Sequence, residues 1–377
     1  MFEPSEYHRR LNRLQENVEQ SDLDALVICA DHNVNYLVGA HCSSGDRQVL
    51  LIVPSTGKPT LIVPRMEQAK MNAEATVDSL LVYWEKDAKR GHGWEDKLQD
   101  TLGDAKRIGI DPHAYIEVLS ALADRECQVS ELVEDLRVIK SPAEIALTRR
   151  IASYWNQAMD AMLGIAKAGL PVGDLMAVGS NISKNIFANE PKANWSNTDI
   201  TQFFQCSPLS SSPHYLSHRP DDVLPDGATI INAIGSVCRY NAENERTILT
   251  GNYTPEHAEL FDIVHQAHQL ALSLVKPGVP CADVDCTVQE FFSKQGVAKH
   301  MRHRVGHGFG LVYHERPYTS EGSEEVYRPN MLISIEPGLY VEGVGGFRHS
   351  DTVLITENGI DNFTSGTPID RARMTFR

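Results

Sequence analysis

The sequence predicts an α/β N-terminal domain followed by an α+β C-terminal domain that is built from two related halves. The first part of the chain alternates short apolar runs with helix-like segments, which is typical of an α/β domain with a mixed sheet. The second part contains two amphipathic segments with matching ends, each followed by strand-like runs. The length of 377 residues is sufficient for two domains. We predict domains at residues 1–137 and 138–377.

Strand-like runs follow a helical opening at residues 4–19 in the N-terminal part. Each run is short, apolar and bounded by Gly, Pro or Asp, as expected for strands of an α/β domain. The runs are Asp24–Cys29, Val49–Pro54, Leu61–Val63, Leu80–Tyr83 and Arg107–Asp111.

Matching helix ends divide the C-terminal part. One helix begins at Ser141 with a capping box that includes Glu144, and a second begins at Thr254. The segments that end them share the pattern Lys-x-Gly-apolar-Pro-x-x-Asp-apolar, from Lys167 and from Lys276, an offset of 109 residues. This recurrence predicts an internal repeat. Because Gly and Pro end many helices, chance similarity is the alternative.

Composition excludes several classes of partner. The formal net charge of −15 argues against a protein that binds nucleic acid or an anionic membrane. The seven cysteines form no CxxC motif, which favours a reducing compartment without structural disulfides. No apolar run approaches the roughly 18 residues of a membrane-spanning helix. We therefore expect a cytoplasmic protein that acts on a small molecule.

The densest group of possible functional residues lies between positions 304 and 351. His307 is flanked by glycines, which let the backbone approach a ligand closely. His314 follows seven residues later, so a turn or bulge is needed if both histidines face one site. Glu336 ends a strand-like run, and Arg348 lies in a Gly-Gly-Phe-Arg run. A glycine-rich hairpin with incidental histidines is the alternative interpretation.

These motifs resemble the pita-bread superfamily of creatinase, Xaa-Pro dipeptidase (prolidase), aminopeptidase P and methionine aminopeptidase. The resemblance covers nearly the whole chain and implies a creatinase/prolidase-type N-terminal domain, a pita-bread C-terminal domain with a pseudo-twofold repeat, and a homodimer. The matching segments are Gly306-His-Gly-Phe-Gly310, His314-Glu-Arg-Pro317, Glu336-Pro-Gly338, Gly345-Gly-Phe-Arg-His-Ser-Asp351, Lys140-Ser-Pro-Ala-Glu144, Pro213-His214 and Glu245-Arg-Thr247.

The resemblance also implies where metal ligands would lie. The peptidase members hold two divalent ions with two Asp, one His and two Glu, and the corresponding positions here are Asn232, Glu243, His307, Glu336 and Ser350. Two carboxylates are replaced by an amide and a hydroxyl, which cannot offset the charge of two ions. We therefore expect no cofactor. The alternative is one Mn, Co or Zn ion on Glu243, His307 and Glu336.

Metal loss with the fold retained resembles creatinase. Asn232 and Glu245 match the creatinase pattern, and the resemblance makes His214 the general acid/base. A solvated loop histidine is the alternative for His214. Glu245 and Glu336 would bind a substrate cation through charge-assisted hydrogen bonds.

The remaining expected site residues complete this interpretation. His307 and His314 would orient the water or the scissile group, and Asn232 and Glu243 would contact the substrate. Arg348 is expected to be a structural ion-pair partner.

The run from His41 to Arg47 resembles a creatinase segment that reaches across a dimer. The resemblance implies that Arg47 binds the substrate carboxylate. One additional residue separates Cys42 from Arg47 here, and an ordinary exposed arginine is the alternative.

Three functions follow as hypotheses. The first is a metal-independent hydrolase that cleaves a C–N bond in a small cationic or zwitterionic substrate of the creatine, guanidino or ectoine type. The second is a metal-dependent Xaa-Pro dipeptidase or aminopeptidase. The third is a catalytically silent binding domain. Activity in a chelator distinguishes the first from the second.

Overall fold

The chain forms two compact units, Met1–Arg137 and Val138–Arg377, which are described separately. A computed structural model describes residues 2–41, 47–85, 88–215 and 219–377, with only the main chain at Phe203. Among these residues, every helix is too short or too polar to cross a membrane.

In its described residues, the N-terminal unit is a six-stranded mixed sheet with helices. Its helices α1–α6 are Pro4–Gln20, Asp31–Val38, Gln68–Glu74, Trp94–Leu102, Ile116–Ala121 and Leu132–Val138. Its strands β1–β6 are Ala25–Ile28, Leu50–Pro54, Thr60–Pro64, Ser79–Tyr83, Arg107–Ile110 and Glu126–Val129. The strand order is β4-β3-β2-β1-β5-β6, with β1, β5 and β6 mutually parallel.

Burial explains the apolar runs of this sheet. All residues of β1 are buried, and the same holds for β3, so both faces of these strands need apolar side chains. The edge strand β6 differs, because all four of its residues are exposed. Its sequence therefore carries no apolar signal, and sequence analysis did not predict it.

The described part of the C-terminal unit contains four long helices and three sheets. The helices α7–α10 are Pro142–Leu163, Val172–Asn189, Pro255–Leu274 and Cys281–Lys294. The strands β7–β17 are Asp199–Cys206, Gly227–Val237, Tyr240–Thr250, Gly306–Gly308, Glu315–Thr319, Leu332–Ile335, Gly338–Val341, Gly345–Arg348, Asp351–Ile355, Ile360–Asn362 and Thr375–Phe376. The sheets have the orders β17-β9-β8-β7, β11-β10-β12-β15-β16 and β13-β14.

The predicted internal repeat is present in the C-terminal unit. Capping boxes begin both α7 and α9, with the side chains of Ser141 and Thr254 as the caps. The chain that leaves each helix then makes the same isolated antiparallel bridge, from Pro171 to Val223 in the first half and from Pro280 to Val326 in the second. The segments that end the two helices therefore also make equivalent backbone contacts in each half.

Main-chain pairing and a buried ion pair join the two halves. The amide of Glu245 on β9 donates to the carbonyl of Ser350 at 3.1 Å, and the amide of Ser350 donates back at 3.0 Å. Beside this bridge, Nη2 of Arg246 lies 2.7 Å from Oδ1 of Asp351. Nε2 of His268 lies 3.3 Å from the other carboxylate oxygen of Asp351.

We expect Asp351→Asn to lower the free energy of unfolding by about 3–5 kcal/mol, because it leaves the buried Arg246 cation without its anion. Burial alone would raise the pKa of Asp351, but the charge of Arg246 holds it well below the usual value. A lowered pKa stabilises the fold above the ordinary carboxyl value of about 3.9, and this stabilisation is lost as the pH falls towards the folded-state pKa. Urea unfolding from neutral to acidic pH measures both effects.

Asp361→Asn is the matched control. Its partner is Arg149, and both side chains of this pair are about half exposed, so its loss should cost no more than about 1 kcal/mol. Equal losses in the two variants would contradict the assigned role of Asp351.

Candidate active site

Two neighbouring long strands place polar side chains on one face of their sheet. Strands β8 and β9 are joined by a two-residue turn whose residues, Cys238 and Arg239, have φ values of 50° and 68°, as a type I′ turn requires. This turn fixes the register in which Asn232 lies opposite Glu245. Glu243 is two residues from Glu245 on the same strand, so its side chain is on the same face.

The second half of the repeat supplies a histidine and another carboxylate. His307 lies on β10, and its Nδ1 is 3.1 Å from the carbonyl oxygen of Gly308. A carbonyl only accepts, so Nδ1 carries the proton and Nε2 is directed towards Glu336 Oε1, at 3.2 Å. Glu336 follows β12 directly, and its amide donates to the carbonyl of Val305 at 2.7 Å.

The glycines beside His307 permit close packing of strands. A Cβ atom at Gly306 would lie 2.2 Å from the carbonyl oxygen of Ser334, and one at Gly308 would lie 2.3 Å from that of Arg316. The sequence analysis gave these glycines the role of admitting a ligand. In the structure, the absence of side chains at Gly306 and Gly308 lets neighbouring backbones lie close to one another around His307.

Glu243, His307 and Glu336 form one compact group. One ligand atom from each residue lies within 4.8 Å of the others. Burial raises the pKa of Glu243 to about 8, and the charge of Glu336 adds to this effect. Burial also opposes ionisation of Glu336, but the charge and hydrogen bond of His307 lower its pKa to about 2. The buried carboxylate of Glu243 and the largely buried carboxylate of Glu336 therefore depend on protons or on a cation for charge balance.

This donor set fits one divalent ion and does not fit two. Three protein ligands of the imidazole and carboxylate type leave positions open for water and substrate, as in catalytic metal centres. The two remaining positions carry neutral groups. The hydroxyl of Ser350 donates to Glu243 Oε1 at 2.5 Å. Oδ1 of Asn232 is buried and accepts no hydrogen bond from the part of the protein that the structure describes.

The carboxylate of Glu245 already has a cation from the protein. Nε and Nη2 of Arg348 donate to its two oxygens at 2.5 Å and 3.0 Å. The expectation that Glu245 binds a substrate cation is therefore not supported by the geometry. The expected structural role of Arg348 agrees with this pairing.

Sequence analysis did not identify the polar residues that position Arg348. Nη1 of Arg348 donates to the hydroxyl of Tyr340 at 2.8 Å, and Nη2 donates to Oε1 of Gln205 at 3.3 Å. His303 Nε2 lies 2.7 Å from the same tyrosine hydroxyl. Tyr313 was also missed; burial raises its pKa, and the nearby charge of Glu243 contributes. No sequence motif marks these residues, because they meet only through the fold.

His314 lies beside His307, one of the three residues that could hold a metal ion. Its ring centroid is 4.3 Å from that of His307, and the pairing of β10 with β11 changes register after His307. The irregularity required by the odd spacing of the two histidines is therefore present. Desolvation and the charge of His307 lower the pKa of His314 to about 4. The imidazole is thus neutral at pH 7.

The other two predicted residues lie in different surroundings. His214 is an exposed turn residue, and its charge contributes to the lowered pKa of His314. Arg47 belongs to the N-terminal unit, where its Nε lies 3.0 Å from Oε2 of Glu85. Residues 42–46, which include Cys42, lie outside the described residues. The role of Arg47 across a dimer stays a prediction.

Comparison with known proteins identifies the family. The profile of Metallopeptidase family M24 matches residues 146–357, and that of the Creatinase/Prolidase N-terminal domain matches residues 10–139. The chain belongs to metallopeptidase family M24. This M24 protein therefore has the expected two-domain architecture with a pita-bread C-terminal domain, and the expectation of a hydrolase is confirmed.

Relatives of this M24 protein match over almost their full lengths. The Xaa-Pro dipeptidase of Pyrococcus horikoshii is 28% identical over 363 residues, which cover 95% of this chain and 97% of that protein. The crystal structure of dipeptidase PepE from Mycobacterium ulcerans has 26% identity and a TM-score of 0.83, with 99% of each chain covered. The N-terminal domain of FACT complex subunit SPT16 from Cicer arietinum (chickpea) has a TM-score of 0.81 and covers 100% of each chain. At 14% identity this last likeness shows the fold alone.

Two expectations are overturned by these findings. The creatinase-like, metal-independent function is wrong, because the family is one of metallopeptidases and its matching relatives are dipeptidases. The expected absence of a cofactor is wrong for the same reason. The physical error was to infer the loss of all metal from the loss of two carboxylates. Three residues that could hold a metal ion, Glu243, His307 and Glu336, still lie together, with one ligand atom of each within 4.8 Å of the others.

We expect Asn232→Asp combined with Ser350→Glu to increase Mn²⁺ binding of this M24 protein by one ion per chain. The two substitutions restore carboxylates at the neutral positions, and hard divalent ions bind through such oxygens. Equilibrium dialysis with elemental analysis measures the stoichiometry.

Asn194→Asp combined with Ser196→Glu is the matched control, because it adds the same charge at exposed positions. Its Mn²⁺ stoichiometry should equal that of the unmodified chain. Unchanged stoichiometry in the site variant, in a chain whose thermal unfolding remains cooperative, would show that these positions do not face the metal centre.

Proposed function

We propose that this chain is a peptidase that hydrolyses Xaa-Pro dipeptides with one divalent ion bound by Glu243, His307 and Glu336. The observation that carries the proposal is the convergence of these three ligand types within 4.8 Å in a chain of metallopeptidase family M24. The substrate class is supported by the full-length relative named Xaa-Pro dipeptidase.

The donor chemistry supports Mn²⁺, Co²⁺ or Zn²⁺ as the ion. Carboxylate oxygens suit Mn²⁺, while an imidazole suits Zn²⁺ and related transition metals. The hydrogen bond from Nδ1 of His307 to the Gly308 carbonyl orients the ring and leaves Nε2 as the ligand atom. When bound, a divalent ion supplies positive charge that polarises a carbonyl group and lowers the pKa of water.

His314 is the residue best suited to act on the scissile amide. It is exposed to solvent, next to His307, and its pKa of about 4 makes it neutral at pH 7. A neutral imidazole retains one N–H donor. That donor stabilises the negative charge that develops on the carbonyl oxygen when water attacks the amide carbon. His214 is also exposed, and its charge acts on His314, which supports a place for His214 at the rim of the site.

Arg348 has a positioning role in the proposed site. Its bidentate pair with Glu245 compensates a carboxylate adjacent to the proposed ligands, so that this carboxylate does not compete for the ion. The network with Tyr340 then fixes the guanidinium in place.

The proposal includes a cytoplasmic homodimer without nucleic-acid or membrane partners. The net charge of −15 supports the exclusion of nucleic acid and anionic membranes. The cysteines of the described residues are free, among them the buried Cys29 and Cys281, which supports a reducing compartment. Light scattering of the purified chain tests the dimer: a monomeric mass contradicts it.

We expect the Mn²⁺-loaded chain to hydrolyse Xaa-Pro dipeptides and to lose this activity in EDTA, with recovery after Mn²⁺ or Co²⁺ is added. His307→Ala should abolish activity and the binding of the ion held by Glu243, His307 and Glu336, since it removes one of these three ligands. His314→Ala should retain metal binding but lose about 10²–10³-fold in kcat, the typical effect of removing one stabilising donor. Proline release and metal content are the measurements.

The controls separate this proposal from other functions. Dipeptides without proline at the second position test the substrate class, and His92→Ala tests the general effect of replacing an exposed histidine. Full activity in EDTA contradicts the metal centre. Absence of dipeptide hydrolysis in a folded, metal-loaded chain contradicts the peptidase function itself.

A further inference from the structure

A second group of metal-binding residue types lies in the N-terminal unit, at the carboxyl ends of three parallel strands. His32 is in the first turn of α2, after β1, and His113 follows β5. Glu134 is in α6, after β6. Since β1, β5 and β6 are mutually parallel, the segments that follow them share one edge of the sheet. This edge is where open α/β sheets bind ligands.

The three side chains are close enough to share one ion. One ligand atom from each of His32, His113 and Glu134 lies within 4.8 Å of the others. The two imidazole rings meet edge to face, with centroids 5.3 Å apart and planes at 71°. Two imidazoles and one carboxylate form a donor set that zinc binds in proteins, with the fourth position left for water.

A buried aspartate fixes the backbone that carries both histidines. Oδ2 of Asp111 accepts hydrogen bonds from the amides of Cys29 and Ala30 at 3.0 Å and 2.9 Å, immediately before α2. Oδ1 of Asp111 accepts the amide of His113 at 3.1 Å. The aspartate is only 1% exposed. It therefore holds the start of α2 and the turn after β5 in one arrangement.

A buried asparagine orients the carboxylate. Nδ2 of Asn33 donates to Oε1 of Glu134 at 2.8 Å, and Oδ1 of Asn33 accepts from Nη1 of Arg137 at 2.8 Å. The other carboxylate oxygen of Glu134, Oε2, is buried and has no hydrogen-bond partner among residues 2–41, 47–85, 88–215 and 219–377. A buried anionic oxygen without a partner is costly, and a cation removes that cost.

We propose that His32, His113 and Glu134 bind one zinc ion in the N-terminal unit. Asp111 and Asn33 act as the supporting residues that orient the ligands, as the outer hydrogen bonds of metal sites do. The ion links α2, the turn after β5 and α6. This proposal is independent of the peptidase proposal, because its ligands all belong to residues 1–137 and it requires no reaction.

The test uses the full chain with His307→Ala, so that the proposed C-terminal centre no longer contributes. Equilibrium dialysis against Zn²⁺ should give one ion per chain. Adding His113→Ala, at an exposed turn position, should weaken Zn²⁺ binding by more than about tenfold. Adding His92→Ala, at another exposed position of the same unit, should leave the affinity unchanged. Circular dichroism checks that each variant is folded.

Two further measurements identify the ligands and the metal. Glu134→Gln keeps the shape of the side chain but removes its charge, so it should weaken Zn²⁺ binding as His113→Ala does. Co²⁺ in place of Zn²⁺ should give the visible absorption of a four-coordinate site, and His113→Ala should remove that spectrum.

The outcomes decide the proposal without reference to activity. It is overturned if the His307→Ala chain binds no Zn²⁺, or if His113→Ala and Glu134→Gln both leave the affinity unchanged. Tight binding of Mn²⁺ with none of Zn²⁺ would also overturn the assignment of the ion. Failure of dipeptide hydrolysis does not bear on it, because the background variant already lacks His307.

Discussion

The main-chain bridge between Glu245 and Ser350 is the contact on which the C-terminal unit and its site depend. It joins strand β9 of the first half to the segment before β15 of the second, and the Arg246–Asp351 ion pair lies next to it in a buried position. The bridge also determines which side chains meet. Glu243, two residues before Glu245 on β9, accepts a hydrogen bond from the hydroxyl of Ser350. The repeat therefore creates the site, because each half supplies only part of the ligand set.

Charge balance explains why this junction favours a cation. Three buried or largely buried carboxylates, Glu243, Glu245 and Glu336, gather on one side of the junction. Arg348 compensates Glu245 through two hydrogen bonds, and His307 compensates Glu336 at 3.2 Å. Among the residues that the structure describes, no arginine or lysine pairs with Glu243, and burial together with the charge of Glu336 raises its pKa to about 8. A divalent ion held by Glu243, His307 and Glu336 would replace the protons on Glu243 and between His307 and Glu336, which is the usual linkage between protonation and metal binding.

Sequence patterns predicted the elements whose burial follows a regular period. Helix α1 buries Tyr7, Leu11, Leu14 and Val18 on one face, and β1 is wholly buried, so both carry a strong apolar signal. Strand β6 is exposed and was missed. Helix α2 was missed as well, because it has eight residues and no side-chain cap. Short elements of this kind are specified by tertiary packing and not by local sequence.

The candidate site was predictable only where its residues lie in local motifs. His307, His314 and Glu336 stand beside glycines and prolines that mark turns, and the structure brings them together. The partners of Arg348 could not be found in this way. Gln205 is 143 residues from it in sequence, and it meets the guanidinium because β7 and β14 lie near β8 in the fold. Nor could sequence patterns predict that ligand atoms of Glu243, His307 and Glu336 lie within 4.8 Å of one another.

In the proposed centre with one ion, the two neutral residues Asn232 and Ser350 would reduce the negative charge around the ligands. Replacing a carboxylate by Ser350 removes a negative charge and supplies a hydroxyl that donates to Glu243. This hydrogen bond favours the ionised form of Glu243, which is the form that binds metal. Asn232 removes a second negative charge opposite Glu245, whose own charge Arg348 compensates. Compared with two carboxylates, Asn232 and Ser350 therefore lower the buried negative charge by two. This equals the difference in charge between one divalent ion and two, and the three ligands of the proposed ion are kept.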